Sequence, residues 1–404
     1  MKVRTLIPNI RFRGFSDPWE QRKLQQIAKV FDGTHQTPEY VSNGVPFVSV
    51  ENIKTLKTNK YISNNAFQNN FKIFPQKGDI FMTRIGNIGS VNIVENNKDL
   101  AYYVSLALIR PEHIRTQYLA QYISSQNGQR QLWRRTLHVA FPKKINKNEI
   151  SKINIFYPDN VEQEKIGSLI IKLDHLIAAN EDKVQQLKTL KKLMMQKIFS
   201  QEWRFKGFTD PWEQRKFFDN IKQVLDYRGK TPKKLNMKWN EEPKGYLALS
   251  AINVKAGYID KHIETYYASE KLYKKWMGKD SLSAGDILFT TEAPMGNVAL
   301  VPDKGKYILS QRTIAFKLDN LFWLEFLEST IFKSKAVAIS SGGTAQGVSQ
   351  KSLRQVIVII PSDVNEQKRI GQVLVTVDNL IAANEDKLNQ LKRLKKYLMQ
   401  NLFV

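Results

Sequence analysis

The chain has no cysteine in 404 residues. That excludes disulfides and any metal site built on thiolates. Its five histidines, at 35, 113, 138, 175 and 262, show no spacing that suits zinc. No apolar run approaches the ~20 residues that a membrane-spanning helix needs. Met1-Lys2-Val3-Arg4 leads into no long apolar segment, so no signal peptide is expected. The expectation is a cytoplasmic protein without a membrane partner. Phosphate-loop chemistry is missing too: Gly342, Gly343 and Gly347 lack the Gly-Lys-Ser/Thr that would follow. There is no Asn/Asp-Pro-Pro-Tyr/Phe run of the kind amino-methyltransferases carry. Negative charge is scarce. Against 62 Lys and Arg stand 38 Asp and Glu, a net charge of +24. So large an excess favours a polyanionic partner, with nucleic acid first among candidates.

Two long amphipathic helices organise what is present. Residues 161–199 and 365–403 carry the same stripe of apolar residues at steps of three and four, for example Ile166, Leu169, Ile170 and Leu173 against Ile370, Val373, Leu374 and Val377. Both contain LIAANEDK, at 176–183 and 380–387. Asp159 with Glu162, and Asp363 with Glu366, have the spacing of a capping box. Asn180 and Asn384 fall on the stripe, where a polar residue can fix register. The matched copies predict an antiparallel coiled-coil pair within one chain, each helix about 60 Å long at 1.5 Å per residue. Two helices packed on separate domains are the alternative.

A second repeat precedes each helix. DPWEQRK occurs at 17–23 and at 210–216, 193 residues apart, whereas the helices are 204 apart. The whole unit therefore repeats: tryptophan motif (12–24 and 205–217), variable segment, long helix. Strand-like runs flank a Gly-Asp turn at Gly78-Asp79 and Gly285-Asp286. Helical patterning follows at 118–135 and 322–340, then a short strand at 153–157 and 356–360. The expected fold class is α/β: two mixed α/β recognition domains, at 1–159 and 201–362, separated by long helices at 160–200 and 363–404, with a pseudo-two-fold internal repeat. Trp19 and Trp212 read as structural anchors.

The variable segments carry the residue types that DNA readout needs. Thr83, Arg84 and Asn87 lie on one turn; Gln311 and Arg312 occupy a comparable edge in the second half. Arg suits guanine, and Asn or Gln suits adenine. Arg134, Arg135, Lys143 and Lys144 form a basic cluster interleaved with Trp133, His138 and Phe141. Tyr227, Arg228, Lys230, Thr344 and Gln346 stand in the analogous loops of the second half. Cations would neutralise phosphates and set affinity; the fewer base contacts would set sequence. No catalytic group emerges. Glu20 and Glu213 each have an Arg two residues on and read as ion pairs. Asp174 and Asp378 read as solvated or partner-facing carboxylates. The polar helix faces, Asn180, Glu181, Asp182 and Lys183 with Asn384, Glu385, Asp386 and Lys387, are candidates for partner contacts.

DPWEQRK twice, the Gly-Asp-Ile strands, the helix openings EQEKIG (162–167) and EQKRIG (366–371), and LIAANEDK twice resemble the specificity subunit of type I restriction–modification systems. The resemblance covers essentially the whole chain. It implies that each variable segment reads one half of a bipartite, asymmetric site in double-stranded DNA, and that helix length sets the gap between the halves. It implies no catalysis and no cofactor in this chain. Two modification subunits would dock on it and methylate adenine with S-adenosylmethionine. Restriction subunits would use ATP and Mg to translocate and cut DNA. A self-sufficient nuclease or methyltransferase, and a scaffold that binds protein alone, are the competing classes.

Overall fold

The structure, a computed structural model, describes residues 7–341 and 347–404. It divides into two compact units. Unit 1 holds the chain up to Asp182 together with Glu385–Val404, and unit 2 holds Lys183–Asn384. The long helices, Asn160–Phe199 and Val364–Asn401, are therefore each shared between the units rather than forming segments of their own.

In unit 1 a four-stranded antiparallel sheet runs in the order Ala28–Asp32, Leu106–Pro111, Ile80–Thr83, Val91–Ile93. Its central strand, IFMT, shows no polar alternation because both faces are buried. Ile80, Met82, Ala107 and Ile109 face one core, shared with Trp19, Tyr118 and Tyr122; Phe81, Leu106 and Leu108 face a second, shared with Phe47 and Tyr102. Unit 2 repeats this with Gln223–Asp226, Thr313–Lys317, Ile287–Thr290 and Val298–Leu300. Ile287, Phe289, Ile314 and Phe316 face one core, and Leu288, Ala299 and Ala315 the other. A small three-stranded sheet with one parallel pairing covers the second face in each unit. The Gly-Asp turns form as expected: Gly78 and Gly285 have φ of 92° and 91°, and Asp79 and Asp286 accept from the backbone N–H of Gln76 and Ser283.

The tryptophan motif is a lock on the long helix. EQRK forms an exposed strand antiparallel to the strand entering that helix, Glu20–Lys23 on Asn154–Tyr157 and Glu213–Lys216 on Ile357–Ile360. Trp19 and Trp212 are buried anchors. Glu20 pairs with Arg22 and Glu213 with Arg215, as local ion pairs. The helix openings differ from a capping box. Asp159 accepts from Val161 and Glu162 N–H, but the Glu162 side chain turns inward, fully buried, to a bidentate pair with Arg11 at 2.8 Å. Glu366 does the same with Arg204, at 2.9 and 2.7 Å. Gln163 and Gln367 donate to the carbonyls of Pro158 and Pro361.

Glycine in these helices has a packing reason. A Cβ on Gly167 would lie 2.9 Å from Gln117 Cβ, and one on Gly371 would lie 2.4 Å from Phe322 N. The helical stretches that approach there are two helices each, broken at a serine: Thr116–Ser124 then Gln126–Arg135, and Phe322–Glu328 then Thr330–Ala338. Ser125 and Ser329 leave helical geometry and cap the second helix by accepting from Gly128 and Phe332 N–H. Against them packs the end of the other repeat's long helix. In unit 1 Phe403 meets Tyr118 and Tyr122; in unit 2 Phe199 meets Phe322 and Phe326. The pairing within each unit is antiparallel. Lys395 pairs with Asp174 and Lys392 with Glu181 in unit 1; Lys191 pairs with Asp378 in unit 2. Asp174 and Asp378 thus face the partner helix, as one of the two expected readings had it, while remaining 36% and 39% exposed.

Candidate nucleic-acid interface

In unit 1 two loops are stitched side by side. The turn 84–90 joins strands Ile80–Thr83 and Val91–Ile93, and the loop 137–144 follows helix Gln126–Arg135. Gly86 N–H donates to Lys143 O at 2.8 Å, Ile145 N–H to Arg84 O at 2.9 Å, and Leu137 N–H to Lys144 O at 2.8 Å. The outer surface they share exposes Asn87, Arg134, Lys143 and Lys144; Arg135 is half-buried and lies 3.5 Å from Glu149. Lys143 Nζ sits 4.6 Å from the centre of the Trp133 ring, and His138 also packs on that ring with centroids 4.2 Å apart.

Thr83 and Arg84 are not at that surface, contrary to expectation. Thr83 is 1% exposed, and its hydroxyl accepts from Ser90 N–H and donates to Asn87 O inside the turn. Arg84 is 7% exposed; it pairs with Asp32 and donates to Ile145 O at 3.1 Å. Both residues hold the loops in place.

Unit 2 assembles the same edge from different residues. Gly347 bridges to both Glu292 and Ser341, as Lys144 does to Ile85 and Leu137. Gln311 and Arg312 are exposed beside it, with Arg312 Nε 3.2 Å from Glu292 Oε1. Thr344 and Gln346 lie outside the described residues. Tyr227, Arg228 and Lys230 are half-buried and engaged. Tyr227 donates its hydroxyl to Asp280 with Met277 O 3.2 Å away, Arg228 is bidentate to Asp226 and donates to Val348 O, and Lys230 donates to Trp276 O. Arg228 does in unit 2 what Arg84 does in unit 1. Each joins the aspartate at the end of a sheet strand, Asp226 or Asp32, to the carbonyl that follows the loop.

On the long helices Asp182, Lys183, Asp386 and Lys387 are exposed. Glu181 is spoken for by Lys392 at 2.6 Å, and Glu385 is half-buried with interactions of its own. Asn180 and Asn384 do not use their amide donors to fix register; each donates to the carbonyl four residues back on its own helix, Leu176 and Leu380. Sequence reading missed Lys191. Its Nζ lies 2.9 Å from Glu325, 3.3 Å from Glu328 and 2.6 Å from Asp378. Burial pushes the Glu325 carboxyl up to about 8, against the pull of Lys191. Burial also pulls the ammonium down, but the three carboxylates outweigh it and hold Lys191 above its ordinary value. Among the described residues no group of three or more His, Asp or Glu is arranged to hold a metal ion, and no helix is long and apolar enough to cross a membrane.

The family model described as type I restriction modification DNA specificity domain matches residues 16–189 and again 210–393. The chain belongs to that family. Two relatives from Methanocaldococcus jannaschii span it nearly end to end. The MjaX type I restriction enzyme specificity subunit, so named provisionally, is 24% identical over 96% of this chain and 93% of its own length. The MjaVIII specificity subunit is 24% identical over 96% and 92%. In fold, the chain is similar to the S subunit of a type I restriction–modification system from M. genitalium, with a TM-score of 0.66 at 13% identity, covering 98% and 99% of the two chains. A chain from a structure on complex assembly and conformational transition of the type I system gives 0.50 at 14% identity, over 94% and 96%. The two matched stretches of this specificity-family chain are the two repeats, each with its own loop edge.

Proposed function

We propose that this chain is the DNA sequence-specificity subunit of a type I restriction–modification complex. Each unit reads one half of a bipartite, asymmetric site in double-stranded DNA, and the paired helices set the unread gap. The observation that carries the reading is the double family match, one copy per repeat. The edges support it: the same scaffold presents Asn87, Lys143 and Lys144 in one unit and Gln311 and Arg312 in the other. Equivalent scaffolds with different edges suit two different half-sites. Exposed Lys and Arg meet phosphates, while the amides of Asn87 and Gln311 and the guanidinium of Arg312 match base edges.

The chain supplies recognition and no chemistry of its own. Two modification subunits dock on its two equivalent helix faces, with Asp182, Lys183, Asp386 and Lys387 as exposed contacts. Those subunits bring S-adenosylmethionine for adenine methylation. Restriction subunits bring ATP and Mg for cleavage, and the assembly works in the cytoplasm. Co-expression with the cognate modification subunit in a methylation-free host, followed by genome-wide mapping of modified adenines, tests this. A bipartite motif that depends on this chain is expected. Absence of new methylation from an assembled complex with an active modification subunit would overturn the reading.

A further inference from the structure

Loop 137–144 of unit 1 holds out an apolar tip that nothing in the described structure covers. Phe141 and Val139 retain 103% and 98% of their reference exposure, more than any other large apolar side chain among the described residues. The tip is not loosely held. Its neck is closed by Leu137 N–H to Lys144 O, and its far limb is tied to the neighbouring turn by Gly86 N–H to Lys143 O. Its near limb is braced where His138 packs on Trp133 and its Nε2 lies 3.0 Å from Trp133 O. A fold that keeps Phe141 fully in water on a braced loop is prepared for a partner that will bury it.

Charge identifies that partner. The segment 137–144, LHVAFPKK, contains no carboxylate, and Arg134, Lys143 and Lys144 are exposed around it. An apolar protein groove has no need of three cations at its rim, whereas a base step in DNA is flanked by phosphates on both strands. Proteins that kink DNA insert Phe, Leu, Ile, Met or Pro between base pairs while cations hold the backbone on either side. Resting on the reading as a DNA-specificity subunit, we propose that Phe141 is a wedge that enters one base step of the half-site read by unit 1 and partly unstacks it. Arg134, Lys143 and Lys144 hold the adjoining phosphates. Specificity then includes how easily that step unstacks, as well as base-edge contacts. The corresponding stretch of the second repeat by sequence, SGGTAQG at 341–347, contains no aromatic residue. The wedge is therefore assigned to the half-site read by unit 1.

The test uses the full complex with its modification subunits and a duplex carrying the mapped motif. Base stacking is read by 2-aminopurine in place of unmethylated adenines and by pyrrolocytosine in place of cytosines. With the native chain, one step in one half-site should brighten on binding. Phe141→Ala should abolish that signal and weaken binding about ten- to a hundredfold, with an unchanged salt dependence. Phe141→Trp should keep the signal. A Lys143→Ala, Lys144→Ala double variant should keep it at saturation while lowering the salt slope by about two. Three results would overturn the wedge: a Phe141→Ala complex with native affinity and signal, a native complex that brightens no step, or a Phe141→Ala chain that fails to assemble with modification subunits yet folds normally. If the native complex binds no motif selectively, the functional reading falls, and the wedge falls with it.

Discussion

Arg84 and Arg228 come from different places in their repeats, one from the turn after a central strand and one from the segment after an edge strand. Each places a guanidinium between a strand-end aspartate and the carbonyl following the variable loop. The second repeat has Thr291 where the first has Arg84. Arg84→Ala is expected to leave the part-buried Asp32 and the Ile145 carbonyl without their donor and destabilise unit 1 by about 1–3 kcal/mol. Arg84→Lys should recover only part, since an ammonium cannot serve carboxylate and carbonyl in one plane. Denaturant titration of both variants measures this. Loss under about 0.5 kcal/mol for Arg84→Ala would show the guanidinium to be dispensable. The Lys191 cluster makes a prediction in pH. Folding raises the Glu325 carboxyl from its ordinary 4.5 to about 8. Its contribution to stability is therefore full below 4.5 and is lost as pH rises through about 8. Glu325→Gln should flatten the stability profile between those values, and an unchanged slope would place the titration elsewhere. At this scale the sequence was least legible. A residue type announces what it can bind, but Arg84 and Arg228 show that a guanidinium suited to guanine serves equally well as an internal brace. Only burial separates the two uses. Asn87, Lys143 and Lys144 kept their surface positions because they lie on turns whose backbone, not side chains, carries the tie.

The long helices were legible down to their ends, since an apolar stripe of forty residues admits no other conformation. The meaning of their repeated openings was not. EQEKIG and EQKRIG invite a capping-box reading, but the glutamate reaches to an arginine more than 150 positions away, and no local rule contains that pairing. The glycines are explained the same way. Gly371→Ala should destabilise more than Gly167→Ala, because its Cβ would meet rigid backbone at 2.4 Å, whereas that of Gly167 first meets a side-chain carbon at 2.9 Å. Overpacking of this sort costs about 1–3 kcal/mol. Thermal unfolding of the two variants ranks them, and equal shifts would remove the close-approach explanation. The helix ends make a companion case. Phe403→Ala removes a ring packed on Tyr118 and Tyr122 and should cost about 3–5 kcal/mol. Hydrogen exchange should show loosening at Thr116–Ser124, far in sequence from the substitution. Loosening confined to the C-terminal turn would contradict the packing.

For the whole molecule, two repeats with one scaffold and two edges were visible in the sequence because each half serves as the reference for the other. The division of each long helix between two compact units was not visible, since the stripe runs through the boundaries at Asp182–Lys183 and Asn384–Glu385 without a break. With two edges on one scaffold, each unit's variable segment is expected to specify one half of the recognised site independently. Replacing residues 25–158 with the corresponding segment of another family member, and mapping adenine methylation before and after, tests it most directly. One half of the motif should change while the other half and the gap between them stay the same. A motif changed in both halves, or in the gap, would contradict it.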